Sequence, residues 1–138
     1  MMDKVEFIGL DVGQARTGFA RGSLIARLAE PLETIPTEQA LDRLTALIKE
    51  LNAAGVVVGL PRNLKGEDTP QTDWVRSWVA GIKQKIEVPF YAQDEALTSK
   101  IAEERKQAGK ALHDVDALAA AIILQDFLDV AESERVVW

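Results

Sequence analysis

The sequence predicts an α/β fold, a mixed sheet flanked by helices, and three observations carry that reading. The stretch "VVVGLP" at 56–61 is a β-branched run ended by Pro61, the pattern of a parallel strand covered on both faces. Before it, Leu41, Leu44, Leu47, Ile48 and Leu51 recur at helical spacing, and another helical stretch follows, so helices alternate with buried strands. The chain of 138 residues is 47% hydrophobic, which suits a single domain, 1–138, with one sizeable core.

Taken in order, residues 4–10 read as a buried strand rich in Val, Phe and Ile. Residues 18–30, "GFARGSLIARLAE", break around Gly22-Ser23, which predicts a hairpin turn between two further strands. Thr37 is the expected N-cap of the helix in "PTEQALDRLTALIKELNAAG", and Gly55 is its expected stop. The polar loop "RNLKGEDTP" leads into a helix from Gln71 to Lys85. "VPFYAQDE" (88–95) gives a fifth strand, and "LTSKIAEERKQAG" a helix closed by Gly109. In "DVDALAAAIILQDFLDVA" the spacing predicts a last helix, whose alanines would let it lie close to the sheet. The outcome is a five-stranded mixed sheet whose parallel part is expected to be right-handed.

Composition narrows the function classes. There are no cysteines, so disulfides and Cys-based zinc sites are excluded. "MMDKVEF" lacks the apolar run of a signal peptide and no stretch is long enough to cross a bilayer, so a cytoplasmic protein without membrane contact is expected. A formal net charge of −6 argues against a chain that coats nucleic acid by bulk electrostatics. A local site is still compatible with it, because metal ions at a carboxylate cluster reverse the local sign.

One stretch, "FIGLDVGQARTGFA" (7–20), raises a chemical question, since an apolar strand runs straight into Asp11. A carboxylate leaving water must find a partner, shift its pKa or bind a metal. Two more carboxylates sit at element ends: Glu95 closes the last strand and Asp116 begins the final helix. In open α/β sheets functional groups gather where carboxyl ends of strands meet helix starts, so the three can converge. Oxygen ligands without His or Cys beside them suit Mg²⁺ or Mn²⁺, and two such ions ~4 Å apart would activate a water and stabilise the leaving oxygen of phosphodiester cleavage. Each residue also has a plainer reading. Asp11 can be a turn residue, Asp94-Glu95 a solvated strand end, and Asp114 or Asp116 a helix cap.

Four stretches, "GLDVGQARTGFA", "VVVGLPRNLKGEDTPQ", "QDEALTS" and "DVDALAAAIILQDFL", resemble in order and spacing the motifs of the YqgF/RuvX family. Its members are small RNase H-like proteins, described as pre-16S rRNA nucleases and as Holliday-junction-resolvase-like. The resemblance runs from Val5 to Leu128 and implies an RNase H-like fold, which the strand–helix order also fits. It implies a metal-dependent endonuclease with the family's three acidic ligands falling on Asp11, Glu95 and Asp116. Structured RNA on the way to the ribosomal small subunit is the implied substrate, with branched DNA or a non-catalytic binding module as the alternatives.

The resemblance tips the loop of Arg62, Asn63 and Lys65 towards contact with a nucleic-acid backbone, and Arg16 and Lys100 are further candidates for such contact. From composition alone, "GLPRNLKG" is equally a solvated turn. The chain departs from the family where Ala96 follows Glu95, since an arginine is usual there, and Lys100 stands one turn further on. The spacing of Asp11, Gly13 and Gly18 also resembles the phosphate loop of actin-like ATPases, but 138 residues leave no room for their second lobe. Trp74 and Trp78, four apart beside Val75, Val79 and Ile82, read as core in preference to base-stacking platforms. His113 and the basic run from Lys100 read as solvated surface.

Overall fold

In the computed structural model, which describes residues 4–95 and 112–138, the strands are β1 (Glu6–Val12), β2 (Arg16–Ser23), β3 (Ala29–Pro36), β4 (Gly55–Leu60), β5 (Phe90–Asp94) and β6 (Val136–Val137). The helices are α1 (Ala40–Leu51), α2 (Pro70–Ile82) and α3 (Leu112–Asp129). One sheet contains all six strands in the order β3-β2-β1-β4-β5-β6. Antiparallel pairing joins β1 to β2, β2 to β3 and β5 to β6, while β1, β4 and β5 run parallel. The carboxyl ends of those three central strands therefore share one edge.

Period-two alternation along the strands divides the core in two. Ile8, Leu10, Phe19, Val56, Val58 and Phe90 meet Leu44 and Leu47 of α1 and Val75 and Val79 of α2 on one face. Trp74 and Trp78 pack against this cluster, as their helical spacing predicted. Phe7, Ala20 and Val57 face the other way, onto Ala120, Ile123, Leu124 and Phe127 of α3. Fully buried β4 confirms the covered parallel strand read from "VVVGLP".

Helix α3 lies unusually close to the sheet because both surfaces are small where they touch. An ideal Cβ on Gly18 would stand 2.0 Å from the Asp116 carbonyl oxygen, and one on Gly59 would stand 2.4 Å from Ile123 Cδ1. Alanines on the helix complete the fit, with Ala117, Ala119, Ala120 and Ala121 all buried. The contact places the second turn of α3 directly over β2.

Several expectations needed correction. Gly22 is not in the turn; it pairs with Ala29 inside the ladder, and the turn follows Ser23. Ser23 Oγ accepts from the Ile25 and Ala26 N–H groups, and Arg27 takes the left-handed conformation. Thr37 does not cap α1: its hydroxyl donates to the Gly13 carbonyl at 2.6 Å and is hydrogen bonded to Thr17 at 2.8 Å. Asn52, with φ 51°, ends α1 before Gly55 begins β4. The sheet gains a sixth strand, β6, too short for pattern to show, held by Trp138, whose N–H and Nε1–H donate to the Phe90 and Tyr91 carbonyls. Asp116 lies four residues inside α3 rather than at its start. A capping box of Thr69 and Thr72 with Pro70 at the first position starts α2. The helix expected over 97–109, with Ala96 and Lys100, lies outside the described residues.

The Gly18 contact is testable by substitution. Gly18→Ala should destabilise the protein by about 1–3 kcal/mol, because a backbone carbonyl cannot give way. Gly81→Ala, on α2 with nothing within 4 Å of the new Cβ, should stabilise by about 0.5–1 kcal/mol. Urea denaturation of the two variants checks both signs.

Candidate active site

Asp11 is brought to the site by alternation: Leu10 enters the α1/α2 face, so Asp11 points to the α3 face. In register, Asp11 stands opposite Gly18 on β2, and Leu10 opposite Val58 on β4. Asp116 rests over Gly18, so the chain brings residues 105 positions apart to adjacent places. Glu95 arrives from the other side, just past β5, with its N–H donating to the Leu60 carbonyl at 3.2 Å. Its carboxyl lies over Gly59, where a Cβ would stand 3.1 Å from both Glu95 Cδ and Oε2.

Electrostatics explain the proton inventory. Glu95 is only 4% exposed. Burial first, then the charge of Asp11, a hydrogen bond to it and the charge of Asp94 push the Glu95 carboxyl up to about 9. Asp11 keeps part of its surface in solvent, yet protein surrounds its carboxyl, and burial followed by the Asp116 charge raises it to about 6. The hydrogen bond with Glu95 acts in the opposite direction on Asp11. Near neutral pH, Glu95 thus holds a proton and donates it to the Asp11 carboxylate. Glu95 Oε2 is buried without a hydrogen-bond partner among the described residues.

The third carboxylate is otherwise engaged. Arg16 Nε donates to Asp116 Oδ2 at 2.9 Å, with the Asp116 side chain 23% and that of Arg16 48% exposed. Among the described residues no three acidic, His or Cys side chains are grouped closely enough to hold a metal ion. The structure brings Asp11 and Glu95 into contact and sets Asp116 beside them, turned onto Arg16. Hard oxygen donors, an orphaned buried carboxyl oxygen and two carboxyls with raised pKa values are what a divalent cation would relieve, so the donor set fits one. Asp116 would be the third donor, and Arg16 already engages its Oδ2.

The loop after β4 shares this edge. Asn63 Oδ1 accepts from the Lys65 and Glu67 N–H groups, each at 2.9 Å, and Gly66 adopts φ +76°. Asn63 therefore shapes the loop. Arg62 pairs with Asp68 at 3.1 Å, whereas Lys65 is exposed and makes no ion pair among the described residues. Sequence reasoning missed the Thr17–Thr37–Gly13 hydrogen bonds and the partner of Arg16, because both join residues far apart in the chain with no local signature.

Residues 5–130 match the family model described as "RuvX: Holliday junction resolvase". The chain belongs to that family. A Chloroflexus aggregans protein named "Putative pre-16S rRNA nuclease" is 38% identical over 93% of this chain and 96% of its own. A Streptococcus mutans protein of the same name is 36% identical over 91% of this chain and 98% of its own. Thermus thermophilus RuvC in complex with Holliday junction substrate superposes with a TM-score of 0.59, covering 97% of this chain and 99% of that one. At 18% identity that likeness shows the fold, which is RNase H-like in the RuvC manner.

The raised carboxyls give a pH prediction. Between about pH 4.5 and 9 the folded protein holds a Glu95 proton that the unfolded chain has released, so metal-free stability should fall as pH rises through that window. Asp11 contributes in the same direction between about pH 4 and 6. Glu95→Gln should flatten the upper part of the slope and raise the melting temperature at pH 8. Thermal melts in EDTA from pH 5 to 9 check this, and a slope of opposite sign would refute the protonated pair.

Proposed function

We propose that this nuclease is a metal-dependent endonuclease that cleaves structured RNA, with precursors of the ribosomal small subunit in the cytoplasm as its setting. The observation that carries the reading is the buried Asp11–Glu95 pair, with a Glu95 oxygen that has no partner among the described residues, beside Asp116 at the carboxyl edge of the parallel strands. Asp11, Glu95 and Asp116 would hold Mg²⁺ or Mn²⁺. When bound, the metal supplies an activated water and stabilisation of the departing oxygen.

The chain's own residues divide the remaining work. The Asp11 and Glu95 carboxyls are held in place by β1 and by the amide of Glu95 on β4, so they need no rearrangement of backbone to serve as ligands. Lys65, presented by the loop that Asn63 organises, meets the phosphate backbone, with Arg62, Arg16 and Lys100 as further contacts. The relatives named as pre-16S rRNA nucleases support RNA as the substrate. Branched DNA is the second reading, favoured by the description of the matched family.

A cleavage assay in Mg²⁺ with a 16S precursor fragment and a four-way DNA junction in parallel separates the two substrates. Asp11→Asn, Glu95→Gln and Asp116→Asn should each remove most of the cleavage. Retention of full activity by Asp11→Asn would refute the site. Lys65→Ala should weaken binding to the RNA fragment and reduce the log–log salt slope by roughly one unit. Fluorescence anisotropy across a salt series reads that change.

A further inference from the structure

The Arg16–Asp116 contact joins two positions that the backbone holds fixed from opposite sides. Arg16 ends the short turn after β1, where its own carbonyl accepts from the Gly13 N–H at 2.9 Å. Thr37 braces that turn twice, through its hydroxyl to the Gly13 carbonyl at 2.6 Å and its N–H to the Ala15 carbonyl at 3.0 Å. Asp116 is fixed by the seat of α3 on Gly18. Between the two anchors only the side chains are free to move, and that of Arg16 is half exposed.

We propose that Arg16 is an internal counter-ion which occupies Asp116 in the metal-free protein, and that a divalent cation completes its site by displacing the guanidinium. The inference rests on the reading of Asp11, Glu95 and Asp116 as metal ligands. It explains why Asp11 and Glu95 are already in contact while the described residues contain no ready group of three acidic donors. Asp116 Oδ2 already accepts a charge-assisted hydrogen bond from Nε at 2.9 Å, and a cation that binds through this oxygen competes with the guanidinium for it. The competition costs metal affinity. In return, the guanidinium released at the mouth of the site becomes a free fork of donors suited to a phosphate. Arg16 is thus a positioning residue in the metal-free state and a backbone contact only after the metal is in place.

Metal affinity, read without substrate, tests this. Mn²⁺ titrations followed by thermal melts, against NaCl of equal ionic strength, compare wild type with Arg16→Met and Arg16→Lys. Arg16→Met should bind Mn²⁺ roughly two- to fivefold more tightly, the worth of a partly exposed ion pair. Its metal-free melting temperature at pH 8 should be lower than that of wild type. Arg16→Lys, which keeps the charge, should stay near wild type. A second readout is the Arg16 Nε–H resonance, which should shift as MgCl₂ is added to wild type. Equal or weaker Mn²⁺ binding by Arg16→Met, or an Nε–H resonance unmoved as Mg²⁺ saturates, would overturn the counter-ion role while leaving the metal site standing. Absence of a divalent-specific effect on both wild type and Arg16→Met would overturn the metal site itself, and the counter-ion role with it.

Discussion

Asp11 stands near the end of β1 on the side that faces α3, and the structure around it follows from the need to tolerate that charge. Two carboxylates about 4 Å apart at an effective dielectric near 20 repel by roughly 4 kcal/mol, so Asp11 and Glu95 do not both ionise at neutral pH in the metal-free protein. A proton on Glu95 turns the repulsion into a hydrogen bond. Asp116, close enough to raise Asp11 further, has its own charge answered by Arg16.

The backbone holds this arrangement with unusually small residues. Gly18 lets the α3 backbone descend onto β2, and Gly59 clears the space over which the Glu95 carboxyl lies. Larger side chains at either position would lift the helix or tilt the carboxyl, and the separation between the acidic groups would no longer be set by the sheet. Thr17 and Thr37, both buried, do the corresponding work on the turn that carries Arg16. Among the described residues, main-chain positions around the site are therefore held by packing and hydrogen bonds, and adjustment is left to the Arg16 and Asp116 side chains.

How much of this was legible in the sequence depended on range. The β4 run and the leucines of α1 declare themselves through periodicity, and both stand where they were expected. Asp11 and Glu95 were legible as strand ends, whereas Asp116 was expected at the start of α3 and lies four residues inside it; the family motifs singled out all three, and the structure sets them at one edge but joins only Asp11 to Glu95. Gly22 misled because a glycine beside a serine reads as a turn, whereas here it belongs to the strand under α3. Thr37 misled in the same way: a threonine before an amphipathic run reads as a cap, but a long-range acceptor, the Gly13 carbonyl, captured its hydroxyl. Arg16 was legible as a cation near the site. Its partner, 100 residues away, was not.

Three acidic groups aimed at a polyanion look self-defeating in a chain that already carries a net charge of −6. The metal-free structure lessens the conflict, because a proton neutralises Glu95 and a guanidinium offsets Asp116, leaving Asp11 as the principal unbalanced charge. Both counter-ions are exchangeable. The proton on Glu95 is labile, and the ion pair of Arg16 is half open to water. On the proposed reading a divalent cation would replace both, since it carries the charge of two monovalent partners in one small sphere and would bind the Glu95 oxygen that has no hydrogen-bond partner among the described residues. On the same reading the replacement would free the half-exposed guanidinium of Arg16. On that proposal the negative charge at the edge is cancelled by the cation, and the freed guanidinium is left to meet a phosphate.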